Sequence, residues 1–155
     1  MITLRRVERD ECERIYHMQI VDFKDLLDRY RDFETNPGAE TLGRVEKRFG
    51  YPGVEHYFIV LYDEDIGYVR IHRLEGQVCR LSQMVVLPRY QGNGYAQQAL
   101  KQVEGLNPQV RCWVLDTIRQ EPKLCHLYEK MGYRLTGAQV NVKEGMDLVD
   151  FEKWV

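Results

Sequence analysis

The run Val86-Leu-Pro-Arg-Tyr-Gln-Gly-Asn-Gly-Tyr-Ala96 joins the end of an apolar stretch to the start of an amphipathic one. Upstream, Val78 to Leu87 reads as a long strand stopped by Pro88. Downstream, Tyr95 to Glu104 reads as a helix with Ala96, Ala99, Leu100 and Val103 on one apolar stripe. A helix start carries unpaired backbone N–H groups and a partial positive charge. Gly92, Gly94 and Ala96 are small enough to let an anion approach that backbone closely, and a diphosphate fits. From the loop alone, a tight turn without a ligand is the alternative. Two rival phosphate motifs fail. A Walker loop ends in Gly-Lys-Ser/Thr, whereas this one continues Gly94-Tyr95-Ala96; a dinucleotide fingerprint counted from Gly92 wants Gly or Ala where Gln97 stands. The chain also lacks the early βαβ unit of a dinucleotide fold.

Working outward, Leu74-Glu75-Gly76 is a turn, and before it Tyr57 to Tyr62 and Ile66 to His72 read as an antiparallel hairpin about Asp63-Glu64-Asp65. Ile2 to Arg6 alternates like a short strand. Glu8 to Tyr30 is helical, with Phe23, Leu26, Leu27 and Tyr30 at i, i+3, i+4, i+7 spacing. Asn36-Pro37-Gly38 ends it, and a short helix over Thr41 to Arg48 stops at Gly50-Tyr51-Pro52-Gly53. Toward the C-terminus, Val110 to Leu115 is a compact apolar strand, expected to be covered on both faces. Lys123 to Met131 is a helix bracketed by Pro122 and Gly132. Strands near Tyr133 to Val140 and Met146 to Trp154 follow. The order predicts a single mixed α/β domain over residues 1–155, with helices on the faces of one central sheet.

Composition narrows the function. A net charge of -2, with 30% charged residues, supplies no polycationic field for nucleic acid. No apolar stretch is long enough to cross a membrane, and no signal-peptide core follows Met1. Cys12, Cys79, Cys112 and Cys125 form no Cys-x-x-Cys pair and sit at no metal-finger spacing to a His, so no metal is expected. Reduced cysteines in a cytoplasmic protein are the plain reading.

The strand end Val86-Leu-Pro88 followed by Gln91, Gly94 and Ala96 resembles the acetyl-CoA signature of the GNAT N-acetyltransferase superfamily, Gln/Arg-x-x-Gly-x-Gly/Ala. Leu127-Tyr-Glu-Lys-Met-Gly-Tyr133 resembles that family's second hallmark, Leu-Tyr-x-x-x-Gly-Phe/Tyr. The element order agrees over nearly the whole chain. The resemblance implies an α+β fold whose mostly antiparallel sheet has splayed middle strands. It implies acetyl-CoA as co-substrate and an amine as acceptor. Backbone groups of Met84, Val85 and Val86 would pair with the pantetheine arm, and those of Gln91, Gly92, Asn93, Gly94, Tyr95 and Ala96 would hold the pyrophosphate. Tyr128 matches the family's general acid. A free phenol near ~10 would protonate a thiolate near ~8.5 at a cost of about 2 kcal/mol; Tyr128 could equally hydrogen-bond the sulfur, or be a core tyrosine.

One position departs from the family. Glu121 stands where many relatives carry an Asn that touches the cofactor. The general base is open between Asp116, Glu121 and water. In the family the acceptor lies near the first helices, where Asp22, Asp25, Asp28 and Asp32 are spaced close to one helix face, interleaved with Lys24, Arg29 and Arg31. A cation-attracting rim and a solvated, self-compensated surface both fit. Tyr16, His17 and Tyr30 are further candidates there. The acceptor is an amine-bearing small molecule, peptide or protein, and a homodimer is left open. The alternative function is a non-catalytic acyl-CoA binding or sensing module.

Overall fold

The computed structural model describes residues 1–155. Seven strands make one sheet: β1 (Thr3–Arg6), β2 (Val54–Leu61), β3 (Glu64–Arg73), β4 (Val78–Val86), β5 (Cys112–Ile118), β6 (Arg134–Lys143) and β7 (Met146–Trp154). Their spatial order is β1-β2-β3-β4-β5-β7-β6, and β4 with β5 is the parallel pair among antiparallel ones. Five α-helices cover it: α1 (Cys12–Asp22), α2 (Lys24–Tyr30), α3 (Leu42–Phe49), α4 (Tyr95–Gly105) and α5 (Pro122–Lys130).

Successive strand residues point to opposite faces, so β2 and β3 feed two cores at once. Phe58, Tyr68 and Val85 pack under Ile15 of α1 and Val45 of α3. Ile59, Val69 and Trp113 pack under Leu100 and Val103 of α4 and Tyr128 of α5. Burial of these side chains from both faces is the main stabilising term, at roughly 1.5–3 kcal/mol per large apolar residue.

The sheet opens in its middle. β4 pairs with β5 only through Val78↔Cys112, Cys79↔Trp113 and Arg80↔Val114. Just beyond, β4 bulges: Ile71 faces Leu81 and Arg70 faces Gln83, leaving Ser82 unpaired. An extra residue bends a strand and increases its twist. β5 meanwhile continues against β7 to Ile118↔Leu148. Leu81–Val86 and Leu115–Ile118 therefore diverge, and β4 keeps one edge free. Its other edge is held to β3, where a Cβ on Gly67 would collide with the Val85 carbonyl oxygen.

Several expected elements shift. The segment Glu8 to Tyr30 is a 3-10 turn at Arg9–Glu11 and then two helices, divided at Phe23 (φ -91°, ψ 3°). That conformation lies in the bridge region, which no Gly or Pro announces. The stripe Phe23, Leu26, Leu27 and Tyr30 thus lies on α2 and its cap, and α2 contains no buried residue. The hairpin turns on Tyr62 and Asp63, both at positive φ, and Glu64 already belongs to β3. β5 starts at Cys112 and runs to Ile118; Cys112–Leu115 are buried or half-buried on both faces, as expected, and the extension puts the exposed Asp116 inside the strand. The edge strand β6 extends to Lys143.

Candidate active site

After β4, Pro88–Tyr90 forms one 3-10 turn and Gln91 is extended. Gly92 and Gly94 then take φ +80° and +79°, and Gly94 caps α4. A side chain at such angles costs about 1–2 kcal/mol, so glycine is needed at both. A Cβ built on either meets nothing within 4 Å, so the space over this backbone is open. The first in-helix bond is Gln98 N–H to Gly94 O (3.1 Å), which leaves the amides of Tyr95, Ala96 and Gln97 without backbone acceptors inside the helix. Tyr95 and Ala96 are half-buried against the larger core, which anchors that first turn. Asn93 ties the loop back by donating to the carbonyls of Tyr90 (3.1 Å) and Gln91 (3.3 Å). Thus the backbone groups of Met84 and Val86 lie on the free edge, which leads into Gln91 to Ala96 at the helix start, whereas Val85 turns its carbonyl to Gly67 of β3 and so does not share that edge as expected.

Tyr128 stands on α5 with 8% of its surface exposed. Its ring lies edge-on to Tyr133 (5.9 Å) and tilted against Phe151 (6.2 Å). Burial, reinforced by the carboxylates of Asp116 and Asp22, pushes its hydroxyl up to about 12. A proton passing from Tyr128 to a thiolate of ordinary pKa near ~8.5 would therefore climb about 5 kcal/mol, against about 2 for a free phenol.

The remaining acids separate by partner. Asp116 pairs with Arg80 across the mouth of the wedge at 3.5 Å. Glu121 caps α5 and accepts from Arg29 Nη1 (2.6 Å) and from the Tyr30 hydroxyl (2.5 Å). Burial opposes its ionisation, but these bonds outweigh it and hold the carboxyl below the usual range. Glu121 thus clamps α2 to the start of α5. Asp28 pairs with Lys24 at 2.8 Å, and Asp32 is a buried cap for Thr35. His17 lies on an exposed surface beside Glu13 at 3.5 Å, and Tyr16 packs on the α1 core. The acidic stripe read from spacing is therefore divided: Asp28 and Asp32 have local partners, while Asp25 lies near Asp22.

Asp22 differs from the others. It is half-buried, no cation pairs with it, and its one partner is Gln91 Nε2 at 3.1 Å. Gln91 Nε2 also donates to the carbonyl of Val86, the end of the free edge, at 2.8 Å. Burial, partly opposed by the Gln91 bond and aided by Asp25, raises the Asp22 carboxyl to about 7. The sequence carried no local signal for either contact: Asp22 and Gln91 lie 69 residues apart, and Arg29 and Glu121 lie 92 apart.

The Acetyltransferase (GNAT) family model matches residues 13–133, and the chain belongs to that family. No curated protein matches it by sequence. Its fold is similar to an acetyltransferase from Thermus thermophilus (TM-score 0.77, 17% identity, 100% of this chain and 97% of that one). It is also similar to spermidine N-acetyltransferase from Vibrio cholerae in complex with CoA and spermine (TM-score 0.77, 19% identity, 99% and 95%). A third is AAC(6')-Ib in complex with ribostamycin and coenzyme A (TM-score 0.74, 18% identity, 99% and 93%).

Proposed function

We propose that this chain transfers the acetyl group of acetyl-CoA to a primary amine of a small molecule or peptide. The observation that carries the reading is the early end of β4–β5 pairing at Arg80↔Val114, which frees a strand edge directly before the open amides of α4. Acetyl-CoA supplies an activated acyl carbon and a thiolate leaving group. The chain's part is to hold the diphosphate on the amides of Gln91 to Ala96 and to pair the arm along Met84–Val86 through the outward backbone groups of Met84 and Val86. Between the diverging strands, Tyr128 donates a hydrogen bond to the departing sulfur. The proteins of similar fold that were solved with spermine or ribostamycin favour a cationic, amine-bearing small molecule as acceptor. Asp22 and Asp25, neither of them paired with a cation, favour the same charge. Four unpaired cysteines suit a reducing cytoplasm.

Thiol release measured with acetyl-CoA over spermidine, spermine, ribostamycin and a lysine peptide tests this reading. Turnover with at least one amine is expected, and Tyr128→Phe should lower kcat about 10–100-fold while leaving the Kd for CoA within about twofold. Binding of CoA without turnover of any amine would instead support the acyl-CoA sensing alternative.

A further inference from the structure

Beyond its bulge, β4 is a half-paired strand: Gln83 to Val86 face β3 on one side and no strand on the other. Two side-chain bonds to α1 supply part of the support that β5 does not. At the far end, Gln91 Nε2 donates both to Val86 O (2.8 Å) and to Asp22 of α1 (3.1 Å). Just after the bulge, Gln83 Nε2 donates to Gln19 Oε1 of α1 at 3.2 Å. Gln83 and Gln19 are 5% and 0% exposed, on the sheet face where Ile15, Phe58 and Val85 pack. A buried amide costs stability unless it is bonded, so an apolar residue would serve the packing better. The direction of the pair is also fixed. Gln19 Nε2 donates to Pro37 O and Glu40 Oε1, both at 3.0 Å, and Glu40 Oε1 accepts from Arg48 Nη1 of α3 at 3.1 Å. Gln19 therefore has only its oxygen to offer β4, and Gln83 must answer with its nitrogen. In consequence Gln83 Oε1 is buried with no partner. The orientation is imposed from α3 through α1 onto the strand.

We propose that Gln83 is a positioning residue for the pantetheine arm of coenzyme A. This rests on the acetyltransferase reading above. Val85 turns its carbonyl to β3, so by the alternation of an antiparallel pair Gln83 does the same, and Met84 between them faces the free edge. Holding Gln83 against α1 sets the position and twist of Met84 relative to the loop amides. The edge is then ready for the arm while the start of α4 holds the diphosphate. Without the tether, the segment is held by β3 and by Gln91 alone, and binding the arm has to order it. Gln83 itself touches neither the arm nor the reacting atoms; it acts through Met84. No motif marks it, since Gln83 lies outside both hallmark segments and its partner stands 64 residues away.

The test separates the arm from the nucleotide. Calorimetry compares CoA with adenosine 3′-phosphate 5′-diphosphate, the same molecule without its arm, on wild type and Gln83→Met, a variant that keeps the side chain's length and removes its amide. The double variant Gln19→Met with Gln83→Met leaves no half of the pair unmatched and serves if the single one melts below the assay temperature. CoA affinity should fall about 5–10-fold in Gln83→Met, with affinity for the arm-less nucleotide within about twofold. The double variant should show the same loss and not twice that loss, because both changes remove one bond. In the unliganded chain, hydrogen exchange at Val85 should quicken in the variants while that of β2 stays unchanged. An equal loss for both ligands would overturn the proposal, since it would make the pair part of general stability. So would unchanged affinity for both. A wild type that binds CoA no better than the arm-less nucleotide, or binds neither, would instead bring down the cofactor reading, and this proposal with it.

Discussion

Asp22 and His56 both lose hydration on folding, with opposite consequences for pH. The folded chain holds a proton on Asp22 up to about pH 7, against 3.8 for a free aspartate. Between those values folding takes up a proton, and above about pH 7 the native state carries the whole cost of a desolvated charge. Asn carries no such charge. Asp22→Asn should therefore raise the Tm at pH 8; the gain should shrink as pH falls below 7 and disappear below about 4. Thermal melts across that range check this, and equal melting at pH 8 would count against it. His56 is stacked between Phe49 (4.9 Å) and Tyr68, with Nδ1 2.5 Å from the Tyr68 hydroxyl. Burial, with Arg70 and Arg48 nearby, lowers its pKa to about 4. The unfolded imidazole protonates near ~6.5, so stability present above that pH is lost as pH falls from there to about 4. His56→Gln should be less stable at pH 7 yet lose less of its Tm between pH 7 and pH 4.

At the scale of elements, the start of α4 depends on backbone shape more than on side chains. Gly94→Ala should cost about 1–2 kcal/mol through its positive φ, and should weaken CoA binding at least tenfold by filling the space above the amides. Gly76→Ala in the β3–β4 turn is the control. Its φ is +72° with nothing within 4 Å, so it carries similar strain away from the cofactor track and should leave CoA affinity unchanged. α2 makes a second element-level case, since it contributes no buried residue and is held to α5 through Glu121. Glu121→Ala should speed hydrogen exchange across Lys24–Tyr30 while leaving α4 protected. The loop and its helix were legible in the sequence because their cause is local: two glycines, a proline and one apolar stripe. The break at Phe23, the turn at Tyr62-Asp63 and the Glu121 clamp were not, because tertiary contacts impose them on residues with no special local preference.

For the whole molecule, one irregularity organises the rest. The bulge at Ser82 and the continuation of β5 along β7 open the sheet where it would otherwise be continuous. α4 and α5 stand on one face of that opening and α1 and α3 on the other. The element order and both hallmark segments could be read from the chain, so the fold was legible almost throughout. The wedge itself is a failure of pairing between Leu81–Val86 and Leu115–Ile118, and local sequence does not encode where two distant strands part. Everything proposed for this chain requires that the wedge and the α4 amides together hold coenzyme A. Calorimetric titration of the purified chain with CoA, with thermal melts in parallel, asks this of the molecule itself. Saturable one-to-one binding is expected and, near a hundredfold excess over Kd, a Tm increase of about 5–10 °C. No heat of binding and no shift at millimolar CoA would contradict it.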